Sequence, residues 1–198
     1  RLSFAKDPKP YVKSKTPELV DLKITNYCPF GCAYCYQSST TQGKHSETND
    51  LNSIIYALSE LEVFEVAIGG GEPTLHPKFK DLIYSCHYCS IIPNFTTRNL
   101  GWLIDQDLVK TVKEAGSGIA FSIDKSHKMK DIYSKFQAAG LVDEPGPAYY
   151  SSERKKLIFQ YVMGSGNSWN LQHILENAYE LGCSVTLLGY KRVGFGDD

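Results

Sequence analysis

Charge of one sign is the first thing this 198-residue sequence lacks: 21 Lys and Arg stand against 22 Asp and Glu, a formal net of −1. Without an overall cationic field, nothing draws the whole molecule to nucleic acid or to an anionic lipid surface, and such binding would need a local patch. The candidate patch, Arg1, Lys6, Lys9, Lys13 and Lys15, reads as a solvated entry segment over residues 1–17. Also missing are an apolar run long enough to span a bilayer and the charged, apolar and small-residue order of a signal peptide. The expectation is a cytoplasmic chain with no membrane association and no nucleic-acid partner. No repeat or low-complexity tract interrupts it. The six cysteines do not suggest a disulfide framework, which belongs to short secreted chains that cannot build a core; reduced thiols or metal ligands are expected.

What is present fits one folded domain. The composition is 42% hydrophobic and 22% charged, and the length matches one domain of roughly 150 residues or somewhat more. Alternation of Val20, Leu22 and Ile24 predicts a strand over LVDLKIT, and Leu51, Ile54, Ile55, Leu58 and Leu61 fall on one helical face, with Thr48, Asn49 or Asp50 as N-cap. Further strands are expected at 63–68, at IIPNFTT, at GIAFSI, at LIFQYVM and at SVTLLGY. Helical spacing falls between them. Phe79, Leu82, Ile83 and Cys86 mark one helix, and Ile104, Leu108, Val112 and Ala115 a second that ends at Gly116. Met129, Ile132, Phe136 and Ala139 before Gly140 mark another, and Leu171, Ile174, Leu175, Ala178 and Leu181 before Gly182 the last. A Pro-, Gly-, Tyr- and Ser-rich loop is expected at 141–153.

Six strands alternating with five helices predict an α/β domain with a parallel sheet, doubly wound or a partial barrel, over residues 18–198. Both architectures put their functional loops at the carboxyl ends of the strands, and the unusual residues collect there. Cysteines follow the first strand, as Cys28-x3-Cys32-x2-Cys35, and Gly69-Gly70-Gly71-Glu72-Pro73 follows the second. Three thiolates in one short loop can converge on a metal centre, with Gly31 allowing the backbone to wrap it. A structural zinc would need a fourth ligand, from Cys86, Cys89, His45 or His76. An iron–sulfur cube held by three cysteines keeps one iron free for a substrate.

With Tyr34 before its last cysteine, the motif resembles the signature of radical S-adenosylmethionine enzymes, and the glycine run resembles the Gly-Gly-Glu motif that ends the second strand in that family. The resemblance covers nearly the whole chain and implies a partial (β/α)6 TIM-like barrel. It implies a 4Fe-4S cluster on Cys28, Cys32 and Cys35, with S-adenosylmethionine on its open iron. Reductive cleavage then gives a 5′-deoxyadenosyl radical that abstracts hydrogen from substrate, and the electron comes from an external donor such as flavodoxin or ferredoxin. Tyr34, Gly70, Gly71 and Glu72 are expected at the cofactor, where glycines would let the backbone approach the methionyl amino group. Thr97, Ser122 and Asp124, at the ends of strands three and four, would meet the ribose and carboxylate, and Tyr190, after strand six, the adenine.

The chain is expected to be a minimal core, without the cysteine-rich extension of peptide-modifying members. Cys86, Cys89 and Cys183 read as packing residues; His87, His127 and His173 read as surface residues. Six strands cannot close a barrel, so a peptide or protein substrate is expected to cover its mouth, with a nucleotide or small metabolite as the alternative. A non-catalytic iron–sulfur or zinc module, or a scaffold that binds S-adenosylmethionine without cleaving it, are the remaining alternatives.

Overall fold

A computed structural model describes residues 15–143, 157–165 and 168–197. Most of the entry segment, and all but the first three residues of the 141–153 loop, lie outside these residues. Six strands, β1 (Leu19–Thr25), β2 (Glu65–Gly70), β3 (Ile92–Thr97), β4 (Ile119–Ser122), β5 (Leu157–Val162) and β6 (Ser184–Leu188), form one sheet in chain order. Every adjacent pair is parallel. Helices α1 (Thr48–Glu60), α2 (Phe79–Tyr88), α3 (Gln106–Glu114), α4 (Met129–Ala138) and α5 (Ser168–Leu181) fall between the strands. The sheet is not closed, since β1 and β6 are its two ends. Among the described residues no helix is long and apolar enough to cross a membrane.

Parity along the strands sets what each face can do. Leu22, Ile24, Val66, Ile68, Phe95, Ile119, Phe121, Leu157, Phe159 and Tyr161 are buried and belong to one core with the inner stripes of the helices. Phe79, Phe95, Trp102, Phe136, Phe121 and Phe159 meet in successive edge-to-face contacts, at centroid distances of 5.1 to 6.5 Å, across that layer. Residues of the other parity, such as Lys23, Asn94, Thr96, Ala120, Ser122 and Gln160, are only half-buried or exposed and line the concave face. Pro93 sits in β3 without breaking it. Its neighbours show why: Ile92 donates to Phe64 on the β2 side and Phe95 donates to Gly118 on the β4 side, so the missing N–H of Pro93 faces β4 before that strand begins.

Several local expectations need correction. The N-cap of α1 is Glu47, with no side-chain cap bond, and Ile54 and Leu61 are exposed. Ile104 precedes α3 in a 3-10 turn and is 85% exposed, while Asp105 caps the helix by accepting from the N–H groups of Asp107 and Leu108. Leu175 also faces outward on α5. The second strand begins and ends two residues later than its apolar run, which makes Gly69 and Gly70 part of the sheet.

Cys86 is fully buried in the core, where burial pushes its thiol up to about 12, and Cys89 packs against the same core. Replacing both by Ala is expected to cost about 1–3 kcal/mol of stability, the range for small core deletions, measured by urea unfolding.

Candidate active site

The loop after β1 is held at its stem by a returning segment. Asn26 donates to Lys44 and Cys28 to Thr40 through the backbone, and Thr25 and Tyr27 bridge to His45 and Thr40. Gly43 is pressed against this stem: a Cβ there would lie 2.0 Å from the Asn26 carbonyl oxygen. Within the loop, Cys35 donates to Cys32 and Ser38 to Cys35, while Gly31 takes φ +58 in open space, as the wrapping turn requires. All three thiols are free and half-buried. Burial is the largest influence on Cys28 and raises its pKa; the nearby Glu72, Cys32 and Cys35 raise it further against an opposing Phe30 backbone bond.

The glycine run that ends β2 abuts the same loop. A Cβ at Gly70 would sit 2.2 Å from the Thr25 carbonyl oxygen, and one at Gly71 equally close to that of Tyr27. Gly71 and Glu72 donate backbone bonds of 2.8 Å to those carbonyls. The two glycines let β2 exit tightly along β1. It is Gly69 whose missing Cβ leaves open space, so it presents the bare backbone.

Glu72 is buried. Its Oε1 accepts from the Thr97 hydroxyl at 2.7 Å and from the hydroxyl and N–H of Thr74, and its Oε2 accepts from the Arg98 N–H at 2.9 Å. Thr97 has the parity of Pro93 and Phe95 and is buried beside Glu72, whereas Ser122 and Asp124 have the parity of the concave face. The expected cofactor residues therefore split into a buried brace, Glu72 with Thr97, and a half-buried set at the mouth.

Arg98 was not among the expected residues, yet it joins that set. Its Nη1 donates to Cys32 Sγ at 2.8 Å and to the Tyr34 hydroxyl at 2.9 Å, and its Nη2 donates to Asp124 Oδ2 at 2.8 Å. Burial opposes the charge of both partners in the ion pair, but the bond between them wins, holding Asp124 below and Arg98 above their ordinary values. Burial, opposed by Arg98, pushes Tyr34 up to about 12. From α5, Asn170 donates to the Asp124 carbonyl and accepts from the Ser126 N–H. The sequence signal for Arg98 was its position: it directly follows β3 in phase with Asn94 and Thr96.

The segment after β6 also reaches the cysteine loop. Phe195 donates a 3.0 Å backbone bond to the Cys35 carbonyl, and Lys191 Nζ lies 4.2 Å from the Tyr36 ring centroid. Tyr190 is exposed, its ring edge beside Gly164 and Gly196. Behind the stem, His76 uses both ring nitrogens, one toward the Ser46 carbonyl and one accepting from the Lys78 N–H, and His45 meets Thr25. Neither Cys86 nor His76 is available as a fourth zinc ligand.

A family profile described as the radical SAM superfamily matches residues 22–189. The chain belongs to this superfamily. Among curated proteins it is similar to the GTP 3′,8-cyclase of Chlorobaculum tepidum, with 26% identity over 59% of this chain and 36% of that protein. It is also similar to the PqqA peptide cyclase of Bradyrhizobium diazoefficiens, with 26% identity over 71% of this chain and 34% of that protein. Its fold is shared with Streptococcus suis SuiB. Bound to S-adenosylmethionine, that structure matches with a TM-score of 0.69 and 16% identity over 90% of this chain and 42% of SuiB. Bound to the precursor peptide SuiA it matches with a TM-score of 0.68 and 16% identity, over 89% and 40%. The radical SAM chain thus spans less than half the length of these proteins.

Two outcomes test the geometry. Gly70→Ala must place a side chain at φ +124 against the Thr25 carbonyl, so it is expected to destabilise the fold by more than about 1 kcal/mol in urea unfolding. Because Asp124 is held below its ordinary pKa, its contribution is complete above the unfolded carboxyl value of about 3.9 and is lost as pH falls through the lower folded value. Asp124→Asn is expected to flatten that acid-side loss, read as a smaller drop in melting temperature between neutral pH and pH 3.

Proposed function

We propose that the chain carries the catalytic core of a radical SAM enzyme, in which Cys28, Cys32 and Cys35 hold a 4Fe-4S cluster. The observation that carries this is the meeting of the C-x3-C-x2-C loop and the Gly69–Glu72 run at the carboxyl ends of β1 and β2, inside a superfamily match that spans most of the chain. The donor set fits the group. Three thiols share one loop, and each is free and half-buried. A structural zinc would need a fourth protein ligand, and Cys86 lies in the core while His76 already uses both ring nitrogens, whereas a cube held by three cysteines keeps one iron open.

Held by Cys28, Cys32 and Cys35, such a cluster would supply one-electron reduction of bound S-adenosylmethionine, with an external donor such as flavodoxin or ferredoxin as the electron source, and with it the 5′-deoxyadenosyl radical chemistry of hydrogen abstraction. The protein's residues bind and orient. Gly69 offers backbone without a Cβ to the methionyl end. Ser122 and Asp124 offer polar groups on the concave face to the ribose and carboxylate, and Tyr190 a ring to the adenine. Glu72, with Thr97, acts one step removed by fixing the ends of β2 and β3.

The substrate class proposed is a peptide. Similarity to a PqqA peptide cyclase over 71% of this chain and to SuiB, seen with its precursor peptide, supports it, as does the unclosed sheet whose last strand is largely exposed. The similarity to a GTP 3′,8-cyclase supports the nucleotide alternative.

Anaerobic reconstitution is expected to give about four irons per chain, and dithionite with S-adenosylmethionine is expected to release 5′-deoxyadenosine and methionine. Cys28→Ala, Cys32→Ala and Cys35→Ala should each lose the cluster absorption, while the Cys86→Ala, Cys89→Ala double variant keeps wild-type iron. A full cluster in the Cys32 variant would overturn the ligand assignment. Release of 5′-deoxyadenosine accelerated by GTP and not by peptides would replace the peptide by a nucleotide.

A further inference from the structure

Arg98 stands out among the groups that touch the cysteine loop because its bond ends on a sulfur. One guanidinium nitrogen serves Cys32 Sγ and the Tyr34 hydroxyl, and the other serves Asp124. The Tyr34 hydroxyl and the Cys32 sulfur are thus brought to the same guanidinium nitrogen. The Cys32 sulfur therefore has a cationic neighbour that donates to it directly. The side chain is well anchored, at 23% exposure in its ion pair, and its own backbone N–H is tied to buried Glu72.

A lysine could pair with Asp124 but could not reach three acceptors lying in different directions, whereas the planar fork of an arginine can. The arrangement is more than a strut for Asp124, since an ion pair alone would leave the second nitrogen for solvent. It points the positive end of an Arg–Asp dipole at one particular thiol.

Hydrogen bonds to ligand sulfurs and local charge are what set iron–sulfur potentials. A cluster that accepts an electron gains negative charge, and a nearby cation favours that state. Asp124, behind the guanidinium, offsets part of the effect. We propose that Arg98 is a positioning residue for the cysteine loop whose N–H···S bond to Cys32 raises the reduction potential of the cluster; this rests on the reading that the three thiols carry one. Arg98 and Asp124 then act in opposite directions on the same quantity, which a purely structural pair would not do.

The test is an electron-paramagnetic-resonance redox titration of the reconstituted chain without S-adenosylmethionine. Arg98→Met is expected to move the midpoint to more negative potential by at least a tenfold change in the reduced-to-oxidised ratio, about 59 mV for one electron. Arg98→Lys should recover part of the shift, and Asp124→Asn should move the midpoint the opposite way. Pulsed measurements on wild-type protein labelled with 15N-arginine need no substitution at all: a nitrogen coupling at the reduced cluster is expected, and it should vanish in Arg98→Lys.

Wild-type potential in an Arg98→Met chain with full iron overturns the inference. So does an absent nitrogen coupling in the wild type, whether or not the variants fold. Unchanged potential with a tenfold weaker affinity for S-adenosylmethionine overturns it too, and assigns Arg98 to the methionyl carboxylate. A wild-type chain that takes up no cluster overturns both this inference and the proposed function.

Discussion

The site hangs on one buried carboxylate. Glu72 sits 2% exposed at the end of β2 and accepts from two hydroxyls and two backbone N–H groups. Removing a carboxylate from water costs several kcal/mol, and hydrogen bonds to a charged group return about 1.5–3 kcal/mol each, so the arrangement is tolerable only while all four donors stay in place. That requirement makes it a specifier of geometry more than a source of stability. It fixes the end of β2 against the end of β3, and the Arg98 backbone with it. The direction in which the Arg98 side chain leaves β3 follows, and so does its reach to Cys32, Tyr34 and Asp124.

The fold was legible because its two periods are clean. Alternation in LVDLKIT and in LIFQYV matches β1 and β5 closely, and Gly116, Gly140 and Gly182 stand with φ of 67°, 67° and 62° just past α3, α4 and α5. Periodicity misled where an apolar residue at the right spacing lay past the contact layer. Ile54 and Leu175 continue their stripes in sequence and face outward in space, since a helix lying on a sheet has a narrower buried stripe than an apolar count suggests, while Ile104 lies in the 3-10 turn before α3 begins. The offset of β2 has another cause. Glycine carries no strand propensity, yet close contact with Thr25 and Tyr27 holds Gly70 in the sheet and Gly71 beside it.

Motif reading put the cysteine and glycine loops side by side but did not name the side chains that join them. The cysteine and glycine motifs lie on adjacent strand ends, as their order implied, because strands consecutive in sequence are neighbours in this sheet. Counting in twos along β3 would have separated Thr97 from the mouth, since it shares the parity of Pro93 and Phe95, and would have put Arg98 there in its place. Side-chain direction was thus present in the sequence and went unused. The contact between the segment after β6 and the Cys35 carbonyl had no such signal, for a backbone bond between segments 160 residues apart leaves no pattern in residue type.

That contact bears on how an unclosed sheet can hold an ordered loop at its mouth. The cysteine loop buries little of its own, so the entropy of fixing it must be offset by partners elsewhere. They come from three directions: the 40–45 segment grips its stem, Arg98 holds Cys32 from β3, and Phe195 holds Cys35 from beyond β6. Gly194 makes the last approach possible, because at φ +62 a Cβ would fall 2.6 Å from the Tyr36 carbonyl oxygen. The first and last strands never pair, yet the segments that leave them do. The mouth is therefore bridged where the strands are not, by the backbone bond from Phe195 to the Cys35 carbonyl.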